Sequence, residues 1–282
     1  MKRAFIVTLM CTALATGGAL PAGAWPGPDM ASSRVMAERY ARLTAQGVGP
    51  ATIQAVMAEE FGLRFLSQPV HPQDISFRPD AGMVILDTPT MGIGRDGNFH
   101  AFGALRWRHD CPFTGDEKIA CWHHDKGKHG GEDGFAVRVS RPIVKKGGSL
   151  HLLDNCGKGT SWDAPAAGAA DHGVGFIYQD KSYQSKASRP EYERSCAEGG
   201  SDAGYGFPDK AYNWDTAAIH MAFRWQEACR NADVAIKTAY GHTWNRTGLT
   251  GIGVSSNGIS WSWENVEKQF VTEPKSDGSY SC

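Results

Sequence analysis

Apolar residues recur at helical spacing in one early part of the chain and alternate with polar ones almost everywhere after it. In ASSRVMAERYARLTAQ, residues 31–46, Val35, Met36, Tyr40 and Leu43 fall near one helical face, with Ser32 and Ser33 as caps and GVGP as the stop. The spacing repeats at Ile53, Val56, Met57 and Phe61 of ATIQAVMAEEFG, which ends at Gly62. Residues 25–65 therefore read as a helical hairpin. Its rhythm is that of a DNA-reading helix-turn-helix, but the second helix carries no basic face. It is expected to be a packing element on the main domain or a pro-segment.

From residue 66 onward the runs become short and alternating, broken by glycine, proline and aspartate. MVILDT, FHAFGALRWRH, GFAVRVSRPIV, SLHLLDN, VGFIYQDKS, TAAIHMAFRWQ, VAIKTAYGHTW and GIGVSSNGISWSWE all read as strands. The pattern predicts a mainly β fold, a β-sandwich-like domain over residues 66–282, with a long irregular insertion at about 164–214. Near the end, Asn257-Gly258 is a favoured pair for a type I′ turn. Counting outward pairs Ser256 with Ile259, Val254 with Trp261 and Ile252 with Trp263. One face then holds Ile252, Val254, Ile259, Trp261 and Trp263, a buried face opposite a serine-rich wet one.

The start of the chain does not fit this pattern. Lys2 and Arg3 precede an uncharged apolar run from Ala4 to Ala15, and Ala22-Gly23-Ala24 supplies the small residues that signal peptidase reads. Residues 1–24 are expected to be a signal peptide, and the mature protein to be secreted and extracellular. No later apolar run is long enough to span a membrane. With 29 Lys+Arg against 30 Asp+Glu, the charge balance carries no nucleic-acid footprint.

Export changes the reading of the cysteines. Beyond Cys11, the chain holds Cys111, Cys121, Cys156, Cys196, Cys229 and Cys282, an even set that predicts disulfides in an oxidising compartment. Proximity favours Cys111 with Cys121. Cys156 with Cys196 and Cys229 with Cys282 are the remaining expectation, the last tying down a chain end that would otherwise fray.

The densest candidate chemistry is CWHHDKGKHGGEDGF, residues 121–135. Asp125, His129, Glu132 and Asp133, with glycines between them, form a loop able to wrap a hard ion, and calcium is the cofactor it would take. It matches neither an EF-hand nor a standard zinc signature, and His123 and His124 would point to opposite faces of a strand. A solvated loop without metal is the simplest reading. No GxSxG is present, although a triad assembled from distant residues would leave no such trace. Nine tryptophans and eight tyrosines suggest a second chemistry, stacking on sugar rings. The insertion supplies the candidate set Tyr183, Tyr192, Tyr205, Tyr212 and Trp214.

DGFAVRV, GVGFIYQDK, YNWD at 212–215 and VAIKTAYGHTWNRTGLTGIGVSSNGISWSW resemble a group of exported β-rich proteins from filamentous soil bacteria. No activity is assigned to that group, so the resemblance implies export and a β fold over roughly residues 75–265 and transfers no catalytic residue. The leading expectation is a secreted, non-catalytic protein that binds an extracellular glycan or small ligand. The alternatives are an extracellular hydrolase, glycosidase or metal-assisted, with a site near residues 123–133, and a toxin-like or partner-assembling protein.

Overall fold

A computed structural model describes residues 30–67, 84–107, 128–129, 132–154, 157–164, 170–179, 182–183, 214–229, 232–244, 247–266, 268–274 and 278–281. Two helices, α1 (Met30–Ala45) and α2 (Pro50–Phe61), come first. They are followed by β1 (Arg64–Phe65), β2 (Val84–Leu86), β3 (Thr90–Ile93), β4 (Phe99–Trp107), β5 (Lys128–His129), β6 (Glu132–Asp154), β7 (Gly159–Ala164) and β8 (Ala170–Gln179). The chain closes with β9 (Ser182–Tyr183), β10 (Trp214–Trp225), β11 (Asp233–Trp244), β12 (Gly248–Ser255), β13 (Gly258–Glu264), β14 (Lys268–Thr272) and β15 (Gly278–Ser281). Neither helix is long and apolar enough to cross a membrane. The leader expected at residues 1–24 lies outside the described residues.

The fold is mainly β, as the alternation predicts, but its layers differ from the expected sandwich. Eleven strands form one curled antiparallel sheet, a half-barrel, along the path β1-β3-β4-β10-β6-β11-β14. The cause is β6, which the sequence reading divides into two strands and which runs unbroken for 23 residues. Its first half lies between β8 and β11, and its second half between β7 and β10. Pro142 sits where the β8 register breaks, between Arg138 and Ile143, as expected of a residue with no N–H for a ladder. A second irregularity lies opposite Ala222 and Phe223, where Gly147 and Lys145 are the successive partners and one residue is skipped. That extra residue reverses which side chains face inward. Phe135, Val137 and Val139 point into the core before it, and Leu150 and Leu152 after it.

The two arms of the sheet face each other across this core. Gly103 of β4 lies so close to Thr238 of β11 that a Cβ at Gly103 would strike the threonine methyl. At the other end of the contact, the Tyr280 hydroxyl of β15 donates to the Pro89 carbonyl at 2.9 Å and accepts from the Met91 N–H at 3.1 Å. β8, most of which the sequence reading takes as the strand VGFIYQDKS, pairs with β6 at Glu132 to Arg138 and again at Ile143 and Val144.

The helical pair covers the outer face of one arm. Met36, Tyr40, Ala41, Leu43, Ile53 and Met57 form a second core with Phe102, Ala104, Leu153 and Ala218 of the sheet. Tyr40 stacks on Phe102 at 5.1 Å between ring centroids. Pro50 opens α2 at its first turn, where its missing N–H costs nothing, and Gly62 closes it with a φ of 67°. Val35, expected on the buried face, is instead 52% exposed.

The β12–β13 hairpin packs on the outer face of the other arm. Its turn is Ser256-Asn257, not Asn257-Gly258, and Gly258 takes a φ of 150° immediately after it. The pairing moves accordingly, to Ile252 with Trp261 and Val254 with Ile259. A shift of two residues leaves every side chain on its predicted face, so the apolar face survives the change of register. Trp261 and Trp263 lie over Gly241, where a Cβ would approach them to about 3 Å.

Cys229 is disulfide-bonded, and the other cysteines lie outside the described residues. Ser281, the residue that precedes Cys282 in the sequence, pairs with Asp233, four residues beyond Cys229. A non-reducing digest should recover the Cys229 peptide joined to the Cys282 peptide; recovery with any other cysteine refutes the pairing. Gly173→Ala should lower stability by about 1–3 kcal/mol in chemical denaturation, because the new Cβ would meet the Val137 carbonyl, which belongs to backbone that cannot rotate away.

Candidate functional site

At the end of the half-barrel where β6 begins, the ladder between β6 and β11 stops at Gly134 and Gly241. One step further the register sets Asp133 opposite His242, and both side chains point inward because residues two apart on a strand share a face. Asp133 is completely buried. Its Oδ2 accepts from the Tyr240 hydroxyl at 2.5 Å and from His242 Nδ1 at 2.8 Å. Its Oδ1 accepts from the Thr243 N–H at 3.0 Å, replacing the strand carbonyl that the interrupted ladder no longer supplies. The Thr243 hydroxyl donates to the Glu132 carbonyl at 3.0 Å, completing the seam. A buried carboxylate is costly unless its oxygens are satisfied, and here three donors converge on it.

A carboxylate can only accept, so the proton of the 2.8 Å contact belongs to His242 Nδ1. That assignment makes Nε2 the acceptor nitrogen of the neutral ring. His242 is 8% exposed, at the rim of the core, whereas Tyr240 is fully buried behind it. Trp107, at the last position of β4, meets His242 edge-on at 5.0 Å and Tyr240 at 6.0 Å. The opposite arm of the sheet thus closes the site from above, and the carboxylate, the imidazole and the phenol are held by three strands.

The residues predicted from sequence meet different fates here. Asp133 is the centre of the site, though as a hydrogen-bond acceptor for Tyr240 and His242. Glu132 cannot share an ion with it, because adjacent residues of β6 point to opposite faces and the Glu132 carboxylate lies beside Gly248. Among the described residues no group of three histidine, cysteine or carboxylate side chains is placed to hold a metal. His129 is described through its backbone, which pairs with Ser182 while Lys128 pairs with Tyr183. This short β5–β9 ladder lies next to β11. Asp125, Tyr192, Tyr205 and Tyr212 lie outside the described residues.

Trp214 is not an exposed platform. It is 8% exposed, inside the main core, with its ring edge-on to Trp162 at 6.4 Å. The sequence reading misses Tyr240, His242, Thr243 and Trp107 as site residues. YGHTW alternates so that Tyr240 and His242 share one face, a signal that becomes chemical only when paired with the acid at the start of β6.

No protein-family model matches the chain, and no curated protein matches it. Asp133→Leu should destabilise the protein by about 3 kcal/mol or more, since it strands three buried donors, whereas Asp133→Asn retains an acceptor and should cost less. Equal losses for the two variants in urea denaturation would show that the carboxylate does not organise the seam.

Proposed function

We propose that this is an exported hydrolase that uses His242, oriented by Asp133, as a general base at the end of the half-barrel where β6 begins. The observation that carries the reading is the 2.8 Å contact between His242 Nδ1 and a carboxylate with no exposure to solvent. A buried acid in this position fixes the tautomer and ring orientation and stabilises the imidazolium that forms when Nε2 takes a proton. Tyr240, sharing Oδ2 with the imidazole, holds the carboxylate in place.

In this reading the nucleophile is water. Nε2 removes a proton from water, the resulting hydroxide adds to the substrate carbonyl, and the imidazolium returns the proton to the leaving oxygen as the ester bond breaks. The substrate class is an ester on an extracellular polymer or small molecule. Signal-peptide features at Lys2, Arg3 and Ala22 to Ala24 support the extracellular setting. Non-catalytic glycan binding receives less support from the described aromatics, because Trp214 belongs to the core, Trp162 packs against it, and Trp261 and Trp263 rest on the sheet.

The test uses mature protein, residues 25–282, against a panel of aryl and acetyl esters and of insoluble glycans. Ester turnover should fall by about 10²-fold or more in His242→Gln with the circular dichroism spectrum unchanged. Retention on glycan without release of acid or reducing ends would overturn the hydrolase reading in favour of a binding protein.

A further inference from the structure

The sheet face beneath α1 holds three histidines that the proposed reaction does not use. His100 of β4 and His220 of β10 are diagonal neighbours, with His100 Nδ1 and His220 Nε2 3.0 Å apart and rings stacked at 5.3 Å. They are 1% and 0% exposed. His220 lies 4.7 Å from Phe102, the ring on which Tyr40 of α1 stacks, so the pair sits under the edge of the helix contact. Two neutral imidazoles satisfy the 3.0 Å contact with one N–H and one lone pair. Two imidazolium rings would set donors head to head. The outer nitrogen of His220, Nδ1, has no hydrogen-bond partner among the described residues, so a proton gained there would be buried without an acceptor.

His151 of β6 lies on the same face, paired in register with Ala218. It is 4% exposed, with Nδ1 at 2.7 Å from the Ser161 hydroxyl and Nε2 likewise unpartnered among the described residues.

We propose that the helical pair is an acid-released latch, in which protonation of His100 and His220 undocks α1 and α2 and bares Phe102, Ala104, Leu153 and Ala218 while the sheet interior stays closed.

The charged groups around these histidines come from every element packed there. His100 faces His220 and Asp96 of the β3–β4 turn, the latter favouring its protonation. His220 faces His100, which opposes it. His151 faces Glu38, Arg42 and Arg34 of α1, two of which oppose it. Arg34 is itself bonded to Asp163 of β7, and Arg224 of β10 to Asn98 and the Asp96 carbonyl.

Burial outweighs Asp96 and holds His100 down to about 4, and it lowers His220 and His151 as well, against an ordinary value of 6.5. The sign follows from linkage. The docked state keeps these rings neutral and the undocked state binds their protons, so docking is at full strength above 6.5 and weakens as pH falls toward about 4. Release should be local, because the helices pack on the outer face of the sheet. The interior core between the two arms holds none of the three histidines.

Hydrogen exchange on the full mature chain, corrected for intrinsic rates, reads this directly. Amides of α1 and α2 should exchange faster as pH falls below about 6.5, by up to on the order of tenfold per pH unit for each histidine that takes up a proton, with β11 amides unchanged. The double variant His100→Gln, His220→Gln should flatten that dependence. Should it fail to fold, the wild-type imidazole ring-proton shifts serve instead, and their midpoints should coincide with helix release. Helix protection that does not change with pH, β11 opening at the same midpoint, or an unflattened response in a folded variant would each overturn the latch.

Discussion

The architecture depends on one strand that changes neighbours halfway along its length. A strand has two hydrogen-bonding edges, so an ordinary one joins two partners; β6 joins four because its halves lie in different arms of the sheet. The bend at Pro142 and the skipped residue near Gly147 turn one arm over the other, so that Phe135 and Leu150 reach the same core from opposite parities. Straightening β6 would remove the face-to-face contact of Gly103 with Thr238 and leave Tyr280 without its partners on the β3 side. The continuous strand also couples the two outer surfaces. Its first half carries the β12–β13 hairpin over Gly134, and its second half carries α1 over Leu153.

The candidate site sits at the end of that same strand, and its chemistry follows from how the ladder ends. Asp133 occupies the first position beyond the last paired residues of β6 and β11, where backbone groups lose their partners while still inside the protein. A carboxylate supplies acceptors for the Thr243 N–H and for two side chains at once. The groups that seal the sheet end are therefore the groups that orient His242. Structural satisfaction and the capacity for proton transfer are one arrangement here, because a dry carboxylate can fix an imidazole only where its own desolvation is already compensated.

Local patterns in the sequence predict the elements well and their assembly poorly. The helical spacing of Tyr40, Leu43, Ile53 and Met57 and the alternation through VAIKTAYGHTW identify buried faces correctly, because periodicity reports burial directly. What escapes is anything decided between distant residues. Alternation cannot tell whether GFAVRVSRPIV and SLHLLDN are two strands or one bent strand, since proline marks a boundary in either case. Trp214 illustrates the same limit: its setting among Gly, Asp and Tyr suggests a loop ring, and only the packing of Trp162 against it makes it core. The histidine loop shows the same limit. Asp133 meets its imidazole 109 residues further along, and no spacing within the loop encodes that contact.

The histidines of this protein show how environment assigns roles within one residue type. His242 bonds to a buried carboxylate at the rim of the core, which fixes its ring orientation. His100 and His220 bond mainly to each other, and His151 to a serine hydroxyl, so burial opposes charge on all three. A side chain that resists protonation while docked stores a preference for neutrality that a falling pH must overcome. The two groups lie on opposite faces of the sheet, under separate cores. Acid therefore acts on the helix-covered face without requiring any change at the dyad, and the half-barrel separates the chemistry of its rim from the attachment of its helices.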